Sequence, residues 1–87
     1  MTISHADFLR TLPAALNGLS HRINGNEITV LDGKRELKIF LAPETQRHFG
    51  PIPLPVTNVV LIFNGFTEEK RERFLARYDL AFRRGGG

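Results

Sequence analysis

The sequence has no cysteine and no tryptophan, and only one methionine and one tyrosine among its 87 residues. Without cysteine the chain has no disulfide, no thiolate metal ligand and no cysteine nucleophile. It also lacks an apolar run of about 18 residues, which a membrane-spanning helix requires, and the charged-then-apolar start of a secretory signal. We therefore expect a complete small cytoplasmic protein, with one domain over residues 1–84 and a flexible glycine tail over 85–87.

The sequence motifs of the common enzyme classes are missing as well. There is no phosphate-binding loop, no dinucleotide-binding fingerprint, no nucleophile elbow and no paired-carboxylate arrangement. The histidines His5, His21 and His48 are too far apart in the sequence to form a metal-binding pattern. We expect no catalytic residue, no cofactor and no metal. The composition favours a small binding or accessory protein that acts through contacts with another protein.

An amphipathic helix is predicted near the start of the chain. Ser4 is a typical helix cap, with Asp7 three residues later in the position of a capping-box acid. Apolar residues then follow at helical spacing as far as Leu16. Pro13 interrupts this pattern, so we expect a kink or a break just before it. Asn17, followed by glycine, predicts the end of the helix.

Two tight turns organise the next part of the chain. Asn24-Gly25 and Asp32-Gly33 are each typical of a two-residue type I′ turn. Both turns agree on one register, which gives a three-stranded antiparallel meander with one apolar and one polar face. His21 falls on the apolar face, where we expect a neutral histidine that is hydrogen-bonded to the backbone or to Tyr78. The register aligns a row of charges across the polar face, namely Arg22, Glu27 and Lys38.

A fourth strand is predicted from about Asn58 to Phe63, and the unbroken apolar run within it, residues 59–63, predicts that both of its faces are covered. A second helix follows, with Thr67 as its cap. Its apolar stripe consists of Phe74, Leu75, Tyr78, Ala81 and Phe82. The element order α-β-β-β-β-α predicts a two-layer α+β sandwich, in which a mainly antiparallel four-stranded sheet carries two helices on one face.

A proline-rich connection, "GPIPLPV" at residues 50–56, precedes the fourth strand. Alternating prolines predict an extended, polyproline-like segment rather than a central strand. Its apolar residues Phe49, Ile52 and Leu54 either cover the sheet edge as a lid or bind a partner protein. Phe40 points outward beside the fourth strand, so an apolar patch stays open unless the connection folds across it. We expect a twofold homodimer through the sheet face or its edge.

The positive charge of the chain lies in the second helix and the tail. From Lys70 to Gly87 there are six basic and two acidic residues, a balance of +4, whereas the remainder has six basic and seven acidic residues. A basic face attracts phosphates, although it is also typical of a solvated helix surface. The alternative function is therefore nucleic-acid binding through Arg73, Arg77, Arg83 and Arg84.

The chain ends on three glycines. Gly86 and Gly87 resemble the diglycine end of ubiquitin-like proteins and bacterial sulfur carriers, and this resemblance implies a minor alternative, a carrier protein. In those families the tail follows a strand of a β-grasp fold, whereas here it follows a predicted helix. A basic last turn and a glycine stop explain the same residues as an ordinary helix end.

Overall fold

Two helices and six strands make up the computed structural model, which describes the backbone of residues 1–85 and the side chains of residues 1–83. Strands β1, β2, β3 and β6 form one antiparallel sheet in the order β1-β2-β3-β6, and β4 and β5 form a separate hairpin. The predicted α+β class is confirmed, with one hairpin more than expected. The elements are α1 (His5–Leu16), β1 (Ser20–Asn24), β2 (Glu27–Asp32), β3 (Arg35–Leu41), β4 (Thr45–Phe49), β5 (Ile52–Val56), β6 (Val59–Asn64) and α2 (Glu68–Gly85).

The hydrophobic core lies between one face of the sheet and the two helices. The sheet contributes alternate residues of its central strands, as the period of two requires. Phe8 of α1 is fully buried and stacks on Phe82 of α2, with ring centroids 4.8 Å apart. Burial raises the pKa of the Tyr78 hydroxyl above its ordinary range, and the Asp79 carboxylate raises it further, so Tyr78 stays neutral in the core. The buried strand residues are Ile28, Val30, Leu37, Ile39 and Leu41.

Helix α1 begins as its sequence predicts but does not break at Pro13. The Ser4 hydroxyl accepts a hydrogen bond from the Asp7 backbone, 3.1 Å between oxygen and nitrogen. The helix then runs through Pro13 to Leu16 and ends at Asn17 in the left-handed conformation. Of the expected kink or break, the break was wrong, because proline removes only one helical hydrogen bond, whereas the turn that follows it buries apolar residues in the core.

Both meander turns are shifted by one residue from their predicted positions. The loops are Gly25-Asn26 and Gly33-Lys34, which leaves Asn24 paired with Glu27 and Asp32 paired with Arg35. Each glycine takes a positive φ, 61° and 62°, at the first loop position, as a type II′ turn requires. The strand register therefore moves by two residues. Since side chains alternate with period two, the apolar face stays apolar although the predicted pairs were wrong.

We call the β4–β5 hairpin the arm. The base of the arm is hydrogen-bonded to the N-terminal segment. Thr57 exchanges two backbone hydrogen bonds with Met1, of 2.7 and 2.8 Å. Its fully buried hydroxyl also donates to the Ile3 carbonyl at 2.8 Å. On the other side of the base, in the connection between β3 and β4, the Ala42 carbonyl contacts the His5 ring at 2.7 Å. The arm therefore leaves the body at a fixed point, and the molecule measures 47 × 25 × 20 Å.

Replacing Thr57 with valine should destabilise the fold without changing its shape. Thr57→Val keeps the volume but leaves the buried Ile3 carbonyl without its donor, which costs about 1–3 kcal/mol. Urea unfolding measures this loss. Thr45→Val is the matched control, because its hydroxyl makes an exposed bond to the Val56 carbonyl and its removal should change stability by less than about 0.5 kcal/mol. Equal effects of the two substitutions would contradict the anchoring role of Thr57.

Candidate binding surfaces

The arm is a two-stranded ribbon that stands outside the two-layer body. All five residues of β4 are exposed, and β4 and β5 pair with each other from Thr45↔Val56 to Phe49↔Ile52. The ribbon continues the β3–β6 pair, since β3 leads into β4 and β5 leads into β6. Three residues, 42–44, join the first two strands and two, 57–58, join the others. This extra residue offsets the registers of the two strand pairs by one, as a β-bulge does, and a β-bulge bends a ribbon.

The predicted partner-binding residues of the proline-rich segment lie together on one face of the arm. Phe49 and Ile52 face each other at the tip, where 57% and 58% of their surface is exposed. Leu54 lies on the same face, half-buried and opposite Arg47. The segment is therefore a hairpin and not an isolated extended connection. The lid interpretation was wrong, because the apolar tip residues remain in solvent.

A second apolar surface lies on the outer face of the sheet. Phe40, Val60 and Ile62 form this surface, which we call the outer patch, and they are 37%, 54% and 45% exposed. Phe40 and Val60 are cross-strand partners, and Ile62 lies opposite Lys38. The expected coverage of both faces of the fourth strand was wrong, because β6 is an edge strand and both helices pack on the other side.

The rest of the outer face is mainly polar, although the exposed Leu31 also lies on it. Lys38 lies opposite Thr29, and Thr29 lies opposite Arg22. The predicted charge row is therefore corrected, because Thr29 and not Glu27 lies between the two basic residues. Glu27 lies diagonally to Lys38 and pairs with it at 3.1 Å. The outer face thus has a charged area, which extends from β1 to Lys38 of β3, and an apolar area at Phe40 and β6.

A basic cleft of about 270 Å³ opens where α2 passes the β2–β3 turn. Lys70, Arg73 and Arg77 line it from one face of α2. Arg35 lines it from the sheet, pairs with Asp32 at 2.8 Å and lies 5.7 Å from the centre of the Phe66 ring. Cationic groups above an aromatic floor attract anions with a flat apolar part. The spacing of Lys70, Arg73 and Arg77 could have revealed this helix face in the sequence, but nothing local indicated that Arg35 would join it.

The remaining predicted residues do not come together. Arg83 is exposed near the end of α2 and does not line the cleft, and the Arg84 side chain and Gly86-Gly87 lie outside the described residues. One His21 ring nitrogen lies 3.4 Å from the Leu19 carbonyl, which is the expected backbone contact. The Tyr78 hydroxyl instead donates to the Met1 sulfur.

The part of the chain that the structure describes contains neither a metal-binding cluster nor a membrane-spanning helix. No cluster of three or more histidine, aspartate or glutamate side chains there is arranged to hold a metal ion. None of its helices is both long and apolar enough to cross a membrane.

No protein-family model, curated protein or solved structure matches this chain. The arm tip, the outer patch and the basic cleft therefore have to be interpreted from their own chemistry.

Removing the apolar side chains of the arm tip should hardly affect stability. The double variant Phe49→Ser, Ile52→Ser loses one cross-strand pair, which is worth less than about 1 kcal/mol. Leu37→Ala, at a fully buried position, should cost about 2–5 kcal/mol. Urea unfolding compares the two variants. A loss in the tip variant as large as that of Leu37→Ala would mean that the tip covers the core after all.

Proposed function

We propose that this protein is a small, non-enzymatic, cytoplasmic accessory protein that binds another protein through the tip of its arm. The observation that carries the proposal is the exposure of Phe49 and Ile52 side by side at the end of a fixed projection. Exposed aromatic and aliphatic side chains that do not stabilise the fold commonly serve as anchors in an interface. Leu54 extends the same apolar face towards the body.

The rigidity of the arm supports this proposal. A two-stranded ribbon alone is only marginally stable, but here its two ends continue into β3 and β6 and are fastened through Thr57 and His5. Pro53 and Pro55 restrict the backbone of β5 further. An apolar anchor that is already ordered loses little conformational entropy when it binds, and this favours affinity.

The test of the arm is a capture experiment with matched variants. The unmodified chain, the tip variant Phe49→Ser, Ile52→Ser and the control Leu80→Ser are used as baits in extracts of the source cell. Leu80 is also an exposed apolar residue, but it lies on α2. We expect at least one protein that the unmodified chain and the control retain and the tip variant loses. Identical sets of captured proteins for all three baits would contradict the proposal.

A second candidate function, nucleic-acid binding, is favoured by the basic cleft. Arg73 and Arg77 line it together with Lys70 and Arg35, and the aromatic residues Phe66 and Phe74 line it as well. Cations that track phosphates and aromatic rings that stack on bases are the two elements of single-strand binding. Arg73 also pairs with Glu69, so Lys70 and Arg77 are the cleft cations that have no ion-pair partner among the described residues.

Fluorescence anisotropy with short labelled single-stranded RNA and DNA tests this candidate. If the cleft binds phosphates, Arg73→Gln, Arg77→Gln should weaken binding and lower the slope of log affinity against log salt by roughly 1 to 1.5. The control Arg71→Gln, Arg83→Gln removes the same charge at exposed α2 residues that do not line the cleft, and should have the smaller effect. An absence of binding by the unmodified chain at low salt would eliminate this candidate.

A further inference from the structure

We propose that β6 pairs with the β6 of a second copy of this chain, antiparallel and centred on Leu61. The two four-stranded sheets would then join into one continuous sheet. This inference is independent of the proposed function, because it uses the outer patch and the edge of β6 and does not involve the arm tip. It rests on the backbone N–H and C=O groups that are unpaired along the edge formed by β5 and β6.

Most of the edge next to the arm is closed. In the arm the closing pair of the hairpin is Phe49↔Ile52, and hydrogen-bonded pairs alternate from there. Pro53 and Pro55 therefore occupy positions whose N–H would face outward, and proline has none to offer. The next outward position is Thr57, where Met1 already accepts and donates backbone hydrogen bonds. No further strand can add to this part of the edge.

Beyond Thr57 the edge is open. Ala42 donates to the Asn58 carbonyl at 2.9 Å, so the bonded pairs of the β3–β6 ladder are those of even-numbered β6 residues. The backbone groups of Val59, Leu61 and Phe63 consequently face away from β3. They have no hydrogen-bond partner among the described residues. Unpaired edge groups of this kind are a template for pairing with another strand.

The open edge is complementary to itself. With the twofold axis at Leu61, each outward residue meets an outward residue, because Val59 lies opposite Phe63 of the second copy. All three outward positions then form hydrogen-bonded pairs. On the outer face Val60 lies beside Ile62 of the second copy, which places the two outer patches next to each other. The paired strand carries no charged side chain between Val59 and Asn64, so the pairing buries no charge.

The ends of β6 fit the same arrangement. The strand of the second copy would finish at its Asn64, opposite Asn58, where Gly65 turns the chain with a φ of 78°. Met1 occupies the next position along the edge. The other edge of the sheet, β1, is different, because it carries Arg22 and polar residues of the kind that block edge pairing. The chain therefore protects one edge and leaves a short stretch of the other exposed.

Single cysteines test the register, since the chain has none of its own. Only a residue on the twofold axis lies next to its own copy. Leu61 would be about 5.5 Å from Leu61 of the second copy between Cα atoms, within the range that a disulfide spans. Val59 would be about 13 Å from its own copy. We expect Leu61→Cys to form a linked dimer on mild oxidation, and Val59→Cys and Phe63→Cys to stay mainly unlinked. Equal linking at all three positions, or none at Leu61, would overturn this register.

A charge pair tests the contact without an introduced bond. The variants Val60→Glu, Ile62→Glu and Val60→Lys, Ile62→Glu differ only at residue 60. Across the axis the first places like charges opposite each other and the second places opposite charges. The unmodified chain should sediment as a dimer, at twice 9.8 kDa, at tens of micromolar. The first variant should be a monomer, and the second should associate at least about tenfold more tightly than the first.

The outcomes separate this inference from the function of the arm. We expect both charge variants to fold, because the side chains that they replace, Val60 and Ile62, are exposed. Circular dichroism checks this. A monomeric unmodified chain would overturn the inference and leave the arm unaffected. A dimer that survives Val60→Glu, Ile62→Glu but is lost in Phe49→Ser, Ile52→Ser would also overturn it, because the contact would then lie at the arm tip.

Discussion

The buried Thr57 joins the N-terminal segment to the point where the arm meets β6, 56 residues further along the chain. Its backbone pairs with Met1, and its hydroxyl donates to the Ile3 carbonyl. The arm ends one residue before it, and β6 begins two residues after it. Because a buried polar group is costly when it is unpaired, these bonds fix the N-terminal segment, the arm and the sheet edge relative to one another. The position of both proposed protein-binding surfaces depends on this junction.

The apolar faces of the helices and the meander could be predicted because they depend on periodicity alone. Phe74, Tyr78, Ala81 and Phe82 of the predicted stripe pack in or against the core, whereas Leu75 does not belong to it. The alternation of β2 and β3 appears in the core as expected. The exact pairs could not be predicted in the same way. Asn-Gly is compatible with a loop that begins at either residue, and the choice of Gly25 as the first loop residue moved every pair by two. A shift of two residues leaves the faces unchanged, so the same strand side chains face the core in the predicted and in the observed register.

The arm and the exposure of β6 could not be predicted from local patterns. Prolines argue against a central strand, but Pro53 and Pro55 occupy the outward-facing positions of β5, whereas the alternate residues of the same strand pair with β4. The exposure of Val60 and Ile62 depends on which strand ends the sheet and on which side both helices pack. Topology decides both, and a continuous apolar run such as that of residues 59–63 is the same in a covered and in an uncovered strand.

The two kinds of exposed apolar surface differ in what the backbone around them permits. Along β5 the prolines prevent strand addition, so a partner on that edge of the arm is bound through side chains such as those of Phe49 and Ile52. Along β6 the backbone itself is available, and the outer patch lies on the same strand as the free groups of Leu61 and its neighbours. One added strand would therefore satisfy the edge and cover part of the patch at once. Proline closes this edge along β5, and Met1 closes it at Thr57. Only three outward residues remain open, which favours a partner strand as short as β6 itself.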